Sequence, residues 1–179
     1  MTKTARTYGE ALYELAREEG VDEEILAQME LAVELFAENP QYPGLLSLPS
    51  LPKEERCGIL DESLRASVHP YLLNFLKILV EHGTIRQLPG CEEAYRLRYN
   101  DDHGILEVTA VTAVPLDEEL REKLHSRLEQ KTGKRVRLRT KVDPSVLGGV
   151  RLETEGRLLD GTVRSRLDDI QALLRGAVL

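Results

Sequence analysis

The chain has no tryptophan, two phenylalanines and an aromatic share of 4%. A core cannot rest on large rings and has to be assembled from Leu, Val, Ile and Ala. There are two cysteines, Cys57 and Cys91, far apart in sequence. Two such residues make no disulfide scaffold, and they read as buried free thiols in a reducing compartment. No apolar run approaches the ~18 residues that a bilayer-crossing helix needs, so direct membrane insertion is not expected. The opening Met1-Thr2-Lys3-Thr4-Ala5-Arg6 runs straight into amphipathic sequence. It lacks the apolar centre of a signal peptide, and acidic residues from Glu10 onward argue against a transit peptide.

Motifs for chemistry are also missing. Gly133-Lys134 lacks the upstream glycine and the following hydroxyl of a phosphate loop. Gly148-Gly149 lies at a strand start, not before a helix. His69, His82, His103 and His125 show no metal-binding spacing. Cys57 has no histidine near it in sequence to form a thiolate pair. The acidic pairs Glu54-Glu55 and Glu92-Glu93 fall on solvent faces. No catalytic residue, cofactor site or metal site is expected, and the chain reads as a binding protein.

What is present is an apolar share of 41%, a charged share of 31% and a net charge of −7. The charge is unevenly spread. Residues 1–104 carry 10 Lys and Arg against 19 Asp and Glu, a net of −9. Residues 105–179 carry 14 against 12, a net of +2. The split predicts two units with different partners. It argues against nucleic acid, because the longer unit repels phosphates.

Hydrophobic period separates the same two parts. In residues 1–104, Tyr8, Leu12, Leu15 and Ala16 recur at helical spacing up to Gly20. Ile25, Met29, Ala32 and Phe36 make a second stripe, stopped by Asn39-Pro40. Pro52 opens a helix carrying Ile59, Leu60 and Leu64. After His69-Pro70, the residues Leu72, Phe75, Leu76, Leu79 and Val80 form a wide apolar face that ends at Gly83. Leu88, Cys91, Tyr95 and Tyr99 complete an all-α antiparallel bundle of five to six helices.

Near residue 104 the period becomes two. Leu106, Val108 and Ala110 define a strand, and Leu116, Leu120, Leu124 and Leu128 a helical stripe. Two further alternating strands follow over Val136–Val142 and Val150–Thr154. A last helix carries Val163, Leu167, Ile170 and Leu174. The order strand-helix-strand-strand-helix predicts a small α+β domain over 105–179.

Four features invite a functional reading. The ladder Lys134, Arg135, Arg137, Arg139 and Lys141 fits either a charged edge strand guarding against stray pairing or a contact for an acidic partner segment. The apolar surplus on the first and fifth helices fits either burial on several sides or a groove for an amphipathic partner helix. Asp143-Pro144 with Gly148-Gly149 suits a turn and close backbone approach. Asp160-Gly161-Thr162 suits the cap of the last helix.

The phrases Val142–Val150 and Leu159–Leu167 resemble the C-terminal signature of the δ subunit of F-type ATP synthases. The mitochondrial oligomycin-sensitivity-conferring protein belongs to the same family. Ala110–Leu116, Thr132–Val136, Tyr8–Ala16, Asn74–Leu79 and Glu81-His82-Gly83 are similar to other family phrases, so the resemblance spans nearly the whole chain. Two positions depart from it. Thr84 stands where the family often has Arg, with Arg86 two later, and Thr162 stands where Ser is common.

The resemblance implies a non-catalytic stator subunit of a proton-translocating synthase, peripheral to the cytoplasmic face of a bacterial membrane, with one copy per complex. It implies that residues 1–104 bind the N-terminal segments of α subunits of the catalytic head, with β subunits as a second candidate contact. It implies that residues 105–179 meet the b subunits of the peripheral stalk. Carried over by position, the head-binding groove involves Tyr8, Ala11 and Leu15 on the first helix with Ile78 and Leu79 on the fifth. Asp143, Pro144, Gly148, Gly149, Asp160, Gly161 and Thr162 are then structural signature residues. The competing reading is a stand-alone helical adaptor or regulatory binding module.

Overall fold

The computed structural model describes residues 1–146, 149–154 and 157–160, the last four as a strand. The chain divides into two compact units, Met1–Asn100 and Asp101–Leu179. The first unit is helical, with α1 Lys3–Glu18, α2 Asp22–Glu38, α3 Gln41–Leu45, α4 Lys53–Leu64, α5 Pro70–Glu81 and α6 Leu88–Asp102. The end of α6 runs two residues past the boundary, and a short 3-10 turn over Ile85–Gln87 precedes that helix.

Local chemistry sets these limits. Thr2 accepts a hydrogen bond from the Ala5 amide at 3.1 Å and opens α1, satisfying one of the free amides of the first turn. Pro70 sits in the first turn of α5, where no helical amide is needed. His69 caps that helix by accepting from the Tyr71 amide at 3.3 Å. At the other end, the Thr84 amide donates to the Leu79 carbonyl at 2.7 Å and the Thr84 hydroxyl to the same oxygen at 3.3 Å. The residue that replaces the family's usual arginine therefore closes α5.

The core of the helical unit is aliphatic, as the composition requires. Ile25, Met29, Leu60, Leu72, Leu76, Leu79, Val80, Ile85 and Leu88 are fully buried, as are the rings of Tyr13 and Tyr95, while Leu12, Phe36, Phe75 and Tyr99 are nearly so. The Tyr13 and Tyr95 rings meet edge to face with centroids 5.3 Å apart, a favoured aromatic geometry. The Tyr95 hydroxyl donates to the Asp22 carbonyl at 2.9 Å, which fixes the start of α2. Where α1 approaches α6 there is room only for glycine: a Cβ on Gly9 would lie 2.2 Å from the Cys91 carbonyl oxygen and 2.8 Å from the Ala94 Cβ.

In the second unit, β1 Ile105–Thr112, α7 Glu118–Thr132, β2 Arg135–Val142, β3 Val150–Thr154 and β4 Arg157–Asp160 follow in order. The sheet order is β2-β1-β3-β4, with β1 parallel to β2 and antiparallel to β3. The strands β2 and β3, consecutive in sequence, therefore flank β1 and do not pair with each other. The strand β4, antiparallel to β3, was not expected from the alternation. Asp160 ends that strand opposite Arg151. The expected last helix, with Gly161 and Thr162, lies outside the described residues, as does Gly148.

The helix α7 opens on Asp117, whose carboxylate accepts from the Leu120 amide at 2.7 Å. It closes at Gly133 in the left-handed region, φ 67°, a conformation that costs glycine little. Its leucine stripe is less buried than the spacing implies: Leu124 and Leu128 are half-buried and Leu120 is 51% exposed. The helix packs against the edge strand β2.

Two outcomes follow from this packing. Gly9→Ala forces α1 away from α6 and should lower the unfolding free energy by about 2 kcal/mol. Unchanged stability in chemical denaturation would show that the two helices do not need this approach. Burial also pushes the Cys91 thiol from 9.0 up to about 11. Between those pH values the unfolded chain has released a proton that the folded chain still holds, so stability falls as pH rises. Cys91→Ala should flatten this alkaline decline, and a decline of equal steepness in the variant would assign it to other groups.

Candidate functional site

The sequence-predicted groove residues fall into three situations. Ala11 is exposed, and Leu15 and Ile78 are large apolar side chains left 41% and 42% exposed. Tyr8 is half-buried, its ring centroid 6.3 Å from that of His82 at a tilt of 53°. Leu79 is fully buried. Successive helix positions are ~100° apart, so when Leu79 faces the core Ile78 turns outward. Leu79 thus serves the bundle interior, and the surface of α5 is presented by Ile78 and His82.

Tyr8, Ala11 and Leu15 lie three and four residues apart and share one face of α1. The Tyr8–His82 contact joins that face to the C-terminal end of α5. His82 follows directly on the last residue of α5 as its C-cap, with its Nδ1 2.9 Å from the Ile78 carbonyl. The same end is held from inside by Arg56. This arginine is 8% exposed, and its Nη1 donates to the carbonyls of Leu46 at 3.2 Å and Val80 at 3.4 Å. Carbonyls at helix ends carry partial negative charge, which suits a buried cation.

A second apolar surface was not read from the sequence. Leu31, Leu35, Leu45 and Leu48 are each more than a third exposed. A cavity of about 710 Å³ lies among Leu35, Tyr42, Leu45, Leu48 and Leu64. The signal was there: Leu31 and Leu35 are four apart and lie off the Ile25–Met29–Ala32–Phe36 stripe.

In the second unit the Asp143 carboxylate accepts from the Ser145 amide at 2.9 Å, and the Asp143 amide donates to the Thr112 carbonyl at 2.9 Å. The Ser145 bonds, then the fields of Arg151 and Lys141, hold the Asp143 carboxyl below its usual range. Pro144 lies in this turn, and Gly149 leads into β3 with φ 83°. These residues shape the passage from β2 to β3.

Among the described residues no group of three or more His, Cys, Asp or Glu is placed to hold a metal ion, and no helix is long and apolar enough to cross a membrane. The thiols of Cys57 and Cys91 and the Tyr95 hydroxyl owe their raised pKa values first to burial, and Arg6 owes its own to the Glu10 carboxylate. What the geometry offers is apolar helix surface, which suits recognition of a protein segment.

The family model for the ATP synthase delta (OSCP) subunit matches residues 4–174. The chain belongs to this family. It is similar to the ATP synthase subunit delta of Symbiobacterium thermophilum, 34% identical over 163 residues, covering 91% of this chain and 88% of that one. It is similar also to the ATP synthase subunit delta of Leuconostoc citreum, 32% identical and covering 96% of both chains. In fold it matches a chain of the Toxoplasma gondii mitochondrial ATP synthase hexamer with a TM-score of 0.75, 17% identity, and coverage of 97% and 98%. The chain is a non-catalytic peripheral-stalk subunit of an ATP synthase, as the resemblance implied, and the adaptor reading is not favoured.

Proposed function

We propose that the helical unit grips the N-terminal segments of the synthase's α subunits on the joined faces of α1 and α5. The α+β unit meets the b subunits, at the cytoplasmic face of a bacterial membrane. The observation that carries this reading is the exposure of the apolar Leu15 and Ile78 on the two helices that the Tyr8–His82 contact brings together. An amphipathic helix with apolar residues at i, i+3 and i+7 would cover them. The excess of acidic residues over 1–104 favours a segment with basic flanks and speeds its arrival.

The mechanics need no reactive group. The rotating shaft exerts torque on the catalytic head, and a head free to turn would uncouple ion flow from ATP synthesis. A tie against torque requires slow dissociation, which comes from well-packed buried area.

Calorimetry with a synthetic peptide of the α-subunit N-terminal segment and the full chain tests the assignment. Ile78→Asp places a charge on this surface and should weaken binding at least tenfold, ~1.4 kcal/mol. Unchanged affinity in a folded Ile78→Asp variant would place the partner elsewhere.

A further inference from the structure

We propose that the outer edge of β2, from Leu138 to Val142, takes up an extended acidic segment of a partner protein as an added strand. This inference stands apart from the α1–α5 assignment and rests on the second unit alone. The strand β2 lies at the end of the sheet. Its odd-numbered residues turn their backbone groups inward: the Arg135 amide donates to Gly104, and beyond the strand the Asp143 amide donates to Thr112. Even-numbered residues therefore point theirs outward.

At Val136 that outer edge is already occupied. The Val136 amide donates to the Glu129 carboxylate at 3.0 Å, and the His125 Nε2 lies 2.9 Å from the Val136 carbonyl. Two side chains of α7 thus close the edge at one residue. Among the described residues no hydrogen bond is made by the outward amides and carbonyls of Leu138, Thr140 and Val142. Val142 is also 46% exposed. The open portion is long enough for a short strand to add its backbone bonds.

Charge selects the occupant. Arg135, Arg137, Arg139 and Lys141 alternate along one face and are all exposed. Arg137 faces Glu107 at 4.0 Å across the sheet, whereas no ion pair of Arg139 or Lys141 occurs among the described residues. A second copy of this edge would set cation against cation, which disfavours pairing. A segment with Asp or Glu at alternate positions would set carboxylates beside Arg139 and Lys141 in the same register. Both the backbone and the side-chain requirement are met by one kind of partner.

The test uses the full chain and a capped, fluorescent hexapeptide of alternating valine and glutamate. Anisotropy should show binding that weakens with added salt, and hydrogen exchange should slow at Leu138, Thr140 and Val142. Thr140→Pro removes one outward donor and leaves the inward ladder intact, a substitution that edge strands tolerate. It should cost at least tenfold in affinity. The double variant Arg139→Glu, Lys141→Glu should lose at least as much and should bind a peptide with lysine in place of glutamate. No binding to the wild type at ~1 mM peptide would mean that the cations only keep edges apart. Equal binding by folded Thr140→Pro and wild type would mean that charge alone captures the peptide. Either result overturns the proposal.

Discussion

The helical unit depends on one close approach, that of α1 to α6 at Gly9. The missing side chain lets the backbone of α1 lie on the Cys91 carbonyl. The next turn then brings Tyr13 onto Tyr95, and the Tyr95 hydroxyl reaches the first residue of α2. One crossing thereby fixes three helices. It also fixes what α1 shows to the outside. With Gly9, Leu12, Tyr13 and Ala16 turned inward, Ala11 and Leu15 have no place in the core and stay at the surface.

The other wall of the candidate groove is fixed by polar groups in a mostly aliphatic interior. Arg56 takes the carbonyls of Leu46 and Val80, and Thr84 takes that of Leu79. Both constraints act on the end of α5, where Ile78 and His82 stand outward. A buried arginine carries a desolvation cost, which donation to helix-end carbonyls offsets. This surface is therefore presented by a pinned helix end, and little ordering remains to be done when a partner arrives.

Much of this was legible in the sequence, for identifiable reasons. Helical stripes report which residues share a face, so α1, α2, α4, α5 and α6 were readable from the spacing of Leu, Ile, Met and Tyr. Position in the family resemblance grouped Leu79 with Ile78, and of the two only Ile78 is exposed. Spacing set Leu79 on the apolar face with Leu72, Phe75, Leu76 and Val80, but it does not report how much of that face a helix buries. It also does not report partners far along the chain. The ladder of cations fitted an edge strand or a contact for an acidic segment, and β2 does stand at the edge because β1 pairs with β3 on its other side. The Leu31–Leu35 pair was hidden because a second stripe on a buried helix looks like more core until its neighbours are placed.

Electrostatics and packing divide the labour within such a protein. The groups most shifted from their ordinary pKa, Cys91 and Tyr95, are shifted by burial toward the neutral form. They are silenced by the core and carry no reactive charge. The charges that do reach solvent are sorted by sign, acidic along the helical unit and cationic along β2. Sorted charge governs which segments approach and how fast, but exposed ion pairs contribute little to lifetime. Lifetime comes from desolvated apolar contact. The exposed leucines and Ile78 supply that surface on the helical unit. At the β2 edge charge selects an acidic segment, and backbone hydrogen bonds add to the hold with a direction that, unlike a charge, specifies a strand.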